Sequence, residues 1–260
     1  MHRAAGLYRN QHGPPRRYPF SVVSRAAAGF AAASKIGEGA TGEVFQGVLE
    51  GAPVAVKLLK LPEAVTAIGR DEIARRFRAE LNVLAFYRHP SIVQLKGWAQ
   101  AEDKASRYPY ALVFELLEGG SLADYLRGAD GSPAKRGPPL SPLARLDCAG
   151  GVGAALAFLH GMRVPGEGEG PPQPVLHRDV KSANVAFAAL PGGALSAKVL
   201  DCGLAKAMRG DGAAAGASFS GGLVAGTVGY MAPEVHPAAC IASKPSKCHT
   251  NRFLFSGFER

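Results

Sequence analysis

Residues Val175–Asn184, with the sequence VLHRDVKSAN, and Lys198–Gly203, with the sequence KVLDCG, decide how this chain can be interpreted. Their polar side chains of interest are Asp179, Lys181, Asn184 and Asp201. A proton acceptor, a cation that faces phosphate and hard oxygen ligands for magnesium are the groups that phosphoryl transfer requires. Two short segments that supply all of these groups in order predict one site for the transfer of a phosphate group.

The first segment closely resembles the catalytic loop of eukaryotic protein kinases, with the serine/threonine type of lysine two residues after the aspartate. The resemblance implies that Asp179 accepts the proton of a substrate hydroxyl or orients that hydroxyl, and that Lys181 neutralises the γ-phosphate. It also implies that Asn184 and Asp201 bind Mg²⁺. The expected activity is ATP-dependent transfer to Ser or Thr of a protein substrate.

A glycine-rich segment, Ile36–Val44, reads IGEGATGEV and contains the spacing G-x-G-x-x-G. A strand-like pattern continues after it, so we predict that it joins two strands and does not lead into a helix as in a dinucleotide fold. Glycines there let backbone N–H groups approach phosphates. A plain hairpin turn is the alternative interpretation.

Lys57 follows Val-Ala-Val on a predicted central strand, where a solvated strand face is the alternative to a functional role. The resemblance implies that Lys57 holds the α- and β-phosphates of ATP. A buried charge needs a partner, and Glu80 shares the predicted inward stripe of a helix with Phe77 and Leu84. Two other carboxylates, Glu72 and Glu63, are weaker candidates.

Further family features complete the expected site. Leu112–Leu117 resembles the hinge strand, with Phe114 as gatekeeper. Gly226–Glu234 resembles the segment that docks the substrate, where Thr227 would contact the catalytic Asp and Lys. The ATP-binding residues implied by the resemblance are Ile36, Gly37, Gly39, Gly42, Val44, Ala55, Lys57, Glu80, Glu115 and Leu117, the last two through their backbones.

The loop before the docking segment contains two possible phosphorylation sites, Ser218 and Ser220. Arg178, beside the predicted catalytic aspartate, could pair with a phosphate there. A small-molecule phosphotransferase is disfavoured because such enzymes lack the Thr227 segment.

Three segments narrow the resemblance to the receptor-like/Pelle and tyrosine-kinase-like groups. They are His89–Gly97, Gly120–Leu122 and Gly226–Tyr230. The segment from Phe20 to Phe30 is similar to the one that precedes the domain in receptor-like kinases. The resemblance runs from about residue 20 to residue 234.

We therefore expect an α+β fold with two lobes. The predicted divisions are a basic flexible extension at 1–30, a strand-rich N-lobe at 31–117, a partial helical C-lobe at 118–234 and a divergent tail at 235–260. Strands are predicted at Glu43–Leu49, Val54–Leu59, Ile92–Trp98 and Tyr110–Leu116. Helices are predicted at Asp71–Phe86 and from Leu143 to Leu159.

Two departures from the family pattern stand out. Cys202 occupies the position that is usually Phe after the metal-binding Asp, so the apolar column under the N-lobe helix is expected to be underfilled. After Glu234 the family continues with several helices, and we expect a truncated C-terminal lobe here. Both features favour the alternative function, a catalytically weak or inactive nucleotide-binding scaffold.

The bulk properties set wider limits. The chain has 260 residues, a net charge of +9 and 47% hydrophobic residues, which fit a folded globular protein. No binding motif supports a nucleic-acid partner, and no long apolar run free of charge, Gly clusters or Pro predicts a membrane span. The basic N-terminus is a transit-type peptide, an anion-binding arm or a solvated extension. The spacing of the four Cys is not typical of a disulfide framework or a zinc site, which indicates a reducing, cytoplasmic setting. The oligomeric state is not predicted.

Overall fold

The computed structural model describes residues 15–39, 42–61, 67–86, 88–103, 105–126, 139–161, 175–202, 206–207, 226–227 and 229–231. The strands in these residues are β1 Arg16–Pro19, β2 Lys35–Gly39, β3 Gly42–Leu49, β4 Ala52–Leu59, β5 Leu95–Gln100, β6 Tyr110–Glu115, β7 Val175–Leu176, β8 Val185–Ala189, β9 Leu195–Val199 and β10 Lys206–Ala207. The α-helices are α1 Phe20–Ala26, α2 Ala67–Phe86, α3 Leu122–Tyr125 and α4 Pro142–Gly161.

The first lobe is built on a six-stranded sheet in the order β1-β5-β6-β4-β3-β2. All neighbouring strands are antiparallel except β1 and β5, which are parallel. The second lobe contains α3, α4 and two small two-stranded sheets, β8-β9 and β10-β7. This confirms the predicted α+β fold with a strand-rich lobe and a more helical one.

An inner core joins the two lobes around the predicted site. Its buried residues include Phe77 of α2, Leu112 of β6, Leu159 of α4 and Val199 of β9. Cys202 lies in the same cluster and is fully buried. The α2 helix therefore packs on the side of the sheet that faces the second lobe.

The predicted flexible extension at 1–30 is wrong for residues 16–30, which are part of the first lobe; residues 1–14 lie outside the described residues. The strand β1 extends the sheet, and Val23 and Ala27 are fully buried in a second core on the outer face. Arg16 and Tyr18 also bond to the carboxylate of Glu50, at the turn after β3. The apolar side chains of this arm are buried while Arg16, Arg17 and Arg25 stay exposed, so the arm packs on the sheet without burying its positive charges.

Gly47 of β3 tests how closely the arm packs. A Cβ atom added there would lie 2.3 Å from the carbonyl oxygen of Ala26, so we expect Gly47→Ala to destabilise the fold by about 1–3 kcal/mol. Gly153 in the exposed middle of α4 is the control, because its Cβ would meet nothing within 4 Å. Gly153→Ala should stabilise by about 1 kcal/mol. Urea unfolding measures both, and a neutral Gly47→Ala would contradict the packing of α1 on β3.

The predicted strand at Ile92–Trp98 begins later, at Leu95. Ile92 instead forms an isolated bridge with Val199, and the N–H of Val93 donates to the Val199 carbonyl at 3.0 Å. These bonds connect the loop before β5 to the second lobe. The predicted helix from Leu143 to Leu159 is confirmed as α4.

Among the described helices, α4 has the length and apolar composition that a membrane crossing needs. A single helix of this kind is weak evidence for a membrane span, and 17% of its apolar window is buried. Ala155 and Leu159 of α4 are buried in the inner core.

Candidate active site

A buried ion triad lies between the sheet and the second lobe. The Lys57 Nζ is 2.9 Å from Glu80 Oε2 and 2.8 Å from Asp201 Oδ1. Lys57 is 8% exposed and Glu80 only 1%. The predicted Lys57–Glu80 pair is therefore present, and it brings the strand β4, the helix α2 and the predicted metal ligand Asp201 together.

The charges in this triad depend on one another. Burial by itself would lower the pKa of Lys57, but the carboxylates of Glu80 and Asp201 outweigh it and raise the pKa. Burial raises the pKa of Glu80 in spite of the attraction of Lys57. The backbone N–H of Cys202 donates a further hydrogen bond to Glu80. Loss of any one charge would thus leave the others costly.

The weaker candidates for the partner of Lys57 have other positions. Glu72 bonds to Arg75 and Arg76 on its own helix. Glu63 lies outside the described residues. Because Glu72 pairs with arginines on the surface of α2, Glu80 on the inward face of that helix is the carboxylate that pairs with Lys57.

A second polar cluster surrounds Asp179. Its Oδ1 accepts a 2.6 Å hydrogen bond from Thr227 Oγ1, and its Oδ2 accepts from Lys181 Nζ at 2.8 Å and Asn184 Nδ2 at 2.9 Å. Lys181 also donates to Thr227 Oγ1 at 2.8 Å. Four of the predicted site residues therefore lie in one network, including the predicted contact of Thr227 with both the Asp and the Lys.

This network keeps Asp179 ionised. Burial opposes the charge, but the hydrogen bonds from Lys181, Thr227 and Asn184 outweigh it and hold the pKa below its ordinary value. At neutral pH the side chain is a carboxylate that accepts hydrogen bonds only. Such a group can orient a hydroxyl and accept its proton.

His177 fixes the backbone next to this carboxylate. Its Nδ1 accepts the N–H of Asp179 at 3.3 Å, so its Nε2 carries the hydrogen that is donated to the Leu200 carbonyl at 2.8 Å. Burial lowers the pKa of His177 below its ordinary 6.5. The neutral ring thus links the loop that carries Asp179 to the strand that leads to Asp201.

The lowered pKa of His177 predicts how the free energy of unfolding changes at acidic pH. Below about pH 6.5 the unfolded chain binds a proton that His177 in the folded chain resists, so the unfolding free energy should fall as the pH falls. This residue contributes at most about 1.4 kcal/mol per pH unit. In urea titrations, His177→Asn should flatten the slope of stability against pH between pH 6.5 and 5.5. The control His89→Asn, at a less buried histidine, should flatten that slope less. An unchanged slope in His177→Asn would contradict the assignment.

The donor set fits a divalent cation. Asn184 is 8% exposed, and its Nδ2 is used by both the carbonyl and the carboxylate of Asp179. Among the described residues, no hydrogen bond reaches the Asn184 Oδ1. Leu200 N–H donates to the backbone carbonyl of Asn184 at 2.8 Å, so Asn184 lies next to the residue that precedes Asp201. An amide oxygen and a carboxylate are ligands that suit a hard cation. A cluster of three or more His, Cys, Asp or Glu that could hold a metal does not occur within the described part of the chain.

The glycine-rich segment joins β2 to β3 as predicted, with Gly39 opposite Gly42 in the hairpin register. A Cβ at Gly42 would lie 1.8 Å from the Leu58 carbonyl oxygen, so the fold itself requires that glycine. At Gly39 a Cβ would meet nothing within 4 Å, and at Gly37 it would make only ordinary contacts with Val44. The first two glycines are therefore free for a function other than packing.

Lys35 stabilises this hairpin through ion pairs at 2.7 Å with Glu38 and 2.9 Å with Glu43. The other oxygen of Glu43 accepts a hydrogen bond from Tyr108 at 2.6 Å. Ile36, one of the predicted ATP-binding residues, is 49% exposed.

The hinge strand ends at Glu115. Phe114, the predicted gatekeeper, is buried in the inner core, and Ala55 and Leu117 pack against that core. The N–H of Glu115 donates to the Gln94 carbonyl at 3.0 Å, so it is not free for adenine. A ligand that bonds to the backbone of Glu115 would therefore use its carbonyl group.

Several expected features lie outside the described residues. They are Ser218, Ser220, the Ala-Pro-Glu end of the docking segment, the tail from 235 and the cysteines at 240 and 248. Sequence reasoning missed a contact that the structure contains: the hydroxyls of Ser182 and Tyr230 are 2.9 Å apart. This contact could have been suspected because Tyr230 lies in Gly226–Glu234, the segment predicted to lie near the site.

Comparison with known proteins agrees with this geometry. The profile described as protein kinase domain matches residues 30–246. The chain is 37% identical to the leucine-rich repeat receptor protein kinase MSL1 of Oryza sativa subsp. japonica, over 85% of this chain and 13% of that protein. It is 35% identical to the probable serine/threonine-protein kinase PBL28 of Arabidopsis thaliana, over 84% of this chain and 50% of that protein.

A third relative is the U-box domain-containing protein 34 of Arabidopsis thaliana, 31% identical over 88% of this chain and 25% of that protein. The chain spans half or less of the length of these relatives. Protein kinase domains generally use ATP with a divalent metal ion. Since the profile matches most of the chain and the ion triad lies beside the Asp179 network, the chain belongs to the protein kinase domain family.

Proposed function

We propose that this chain is a protein serine/threonine kinase that transfers the γ-phosphate of ATP to protein hydroxyl groups. The observation that carries the proposal is the network around Asp179, in which Lys181 and Thr227 bond both to the carboxylate and to each other. In it, Asp179 would orient the substrate hydroxyl and accept its proton. Lys181 would face the transferred phosphate, where positioning and charge supply most of the rate.

The nucleotide would be bound by the first lobe. Lys57, fixed by Glu80, would hold the α- and β-phosphates, and the backbone at Gly37 and Gly39 would approach the phosphates because no side chain blocks it. Asn184 and Asp201 would hold Mg²⁺, which would supply positive charge to neutralise the phosphates. Ile36, Val44, Ala55 and Leu117 would line the adenine.

The relatives support a place in the receptor-like/Pelle or tyrosine-kinase-like groups, because the relative from rice is named a receptor protein kinase and PBL28 a serine/threonine kinase. We also propose a cytoplasmic setting, in which the buried thiols of Cys148 and Cys202 stay reduced.

Acceptor specificity is tested with matched peptides. The chain is incubated with Mg²⁺, ATP labelled at the γ-phosphate and three peptides that differ only in carrying Ser, Thr or Tyr. We expect label on the Ser and Thr peptides. Label on the Tyr peptide alone would contradict the serine/threonine assignment.

A nucleotide-binding scaffold is the second candidate. Cys202 favours it, because this small side chain replaces the ring that the family usually places under α2, although it is fully buried in the core. A scaffold would be stabilised by ATP with Mg²⁺ through mass action and would transfer no phosphate.

A further inference from the structure

A cavity of about 290 Å³ lies behind the hinge strand, away from the ion triad. It is formed by the end of α2 and the loop that follows it, through residue 95, and by Lys198 of β9. This volume is close to the lower end of small-molecule pockets. Leu84, Ile92 and Leu95 give it an apolar wall, and Arg88 and Lys198 give it two cations.

The two cations are compensated differently. Lys198 Nζ is 2.7 Å from the carboxylate of Glu115, which also accepts the N–H of Gln94 at 2.8 Å. Arg88 occurs in none of the ion pairs among the described residues. Its guanidinium instead faces the amide of Gln94, whose oxygen is 2.6 Å away in the orientation that satisfies both groups.

The remaining titratable group in the wall carries no charge at neutral pH. Burial lowers the pKa of His89, and its Nδ1 accepts the N–H of Ser91 at 3.1 Å. With Glu115 balancing Lys198, the cavity keeps one uncompensated positive charge, on Arg88. A single negative charge would balance it, whereas a doubly charged phosphate would add repulsion with Glu115.

The geometry points to a second binding site: this cavity takes a small organic carboxylate, with its apolar body against Leu84, Ile92 and Leu95 and its anionic group between Arg88 and Lys198. A planar guanidinium matches the two oxygens of a carboxylate. The amide of Gln94, which now faces Arg88, is the neutral group that the carboxylate replaces.

The site has a consequence for the hinge. A carboxylate that shares Lys198 weakens the bond between Lys198 and Glu115, the residue at which β6 ends. Removing the charge of Glu115 should therefore free Lys198 and tighten binding of the ligand. Tighter binding after loss of the Glu115 charge would distinguish a site that uses Lys198 from a site that depends on Arg88 alone.

Phenylacetate tests the site, with neutral phenylacetamide as the matched compound. Methyl NMR of the full chain should give saturable shifts of Leu84, Ile92, Val93 and Leu95 with phenylacetate and none with phenylacetamide. Arg88→Gln should weaken binding about tenfold or more. Arg78→Gln, at an exposed arginine of α2, should leave it unchanged, and Glu115→Gln should tighten it severalfold.

If Arg88→Gln does not fold, Lys198→Gln serves in its place and should also weaken binding. Equal shifts with phenylacetamide, no saturable shift in the unaltered chain at tens of millimolar, or full affinity in a folded Arg88→Gln or Lys198→Gln chain would overturn the proposal. Weakening by Arg78→Gln to the same extent would also overturn it, because the attraction would then be a general effect of surface charge.

Discussion

Replacing Lys57 by Met is expected to lower the free energy of unfolding by about 3–5 kcal/mol at pH 8. Glu80 is 1% exposed and would keep a buried charge with no cation beside it. Burial already raises the Glu80 pKa to about 7. Without Lys57 the pKa of Glu80 should rise further, because the attraction of Lys57 lowers it. The loss should therefore shrink as the pH falls through this raised pKa, because protonation of Glu80 removes the unpaired charge.

The double variant Lys57→Met/Glu80→Gln isolates the pair. It should regain part of the stability lost by Lys57→Met, so that the two single effects are not additive. Lys60→Met, at a lysine just beyond the same strand with no ion pair among the described residues, is the control and should cost little. Additive losses in a urea-unfolding cycle would show that the two side chains do not depend on each other. Both variants that lack Lys57 should also lose thermal stabilisation by ATP with Mg²⁺.

Asp179→Asn is expected to slow phosphate transfer by about 10²–10⁴-fold, the usual contribution of a positioned acid–base group. An amide has nearly the same shape and keeps an oxygen that can accept from Thr227 or Lys181, so the fold should survive. Nucleotide affinity should change little, since Lys57 and the glycine-rich hairpin are untouched.

The control for this variant is Asp147→Asn, at an exposed carboxylate of α4. It should transfer phosphate at the rate of the unaltered chain. Transfer rates are measured at saturating ATP with far-UV circular dichroism to verify folding. A folded Asp179→Asn chain that retains full activity would remove Asp179 from the chemistry.

The contacts among the candidate site residues, whose roles stay predictions, were easier to predict than the details of the fold. Asp179, Lys181 and Asn184 are close in sequence, so their spacing already places them on one loop. The Lys57–Glu80 pair joins distant elements, yet it followed from one physical rule, that a buried charge needs a partner. Helical periodicity then selected Glu80 over Glu72.

The errors in the fold have a common physical origin. The arm at 16–30 is rich in arginine and has short apolar runs, so only the tertiary contacts of Tyr18, Val23 and Ala27 reveal that it is part of a core. The hairpin of β8 and β9 was missed for a similar reason. Its small residues, such as Ala186 and Ala197, have weak strand preference and are fixed by pairing across the hairpin.

Contacts between side chains from separate elements were the least predictable. The pair of Lys198 with Glu115 connects β9 to the hinge, and neither residue carries a local pattern that points to the other. The late start of β5 likewise depends on the bonds of Ile92 and Val93 to Val199. Such features depend on how the two lobes pack, and local sequence does not encode that packing.

The measurement that tests the central claim most directly counts bound nucleotide and transferred phosphate in one sample of the unaltered chain. The chain is mixed with Mg²⁺, γ-labelled ATP and a protein acceptor, and the label on protein is analysed as phosphoserine, phosphothreonine and phosphotyrosine. We predict that nucleotide binds and that labelled phosphoserine or phosphothreonine accumulates over many turnovers. Saturating nucleotide binding without any transfer of label would contradict the assignment of the Asp179 network as a catalytic centre and would identify the chain as a scaffold.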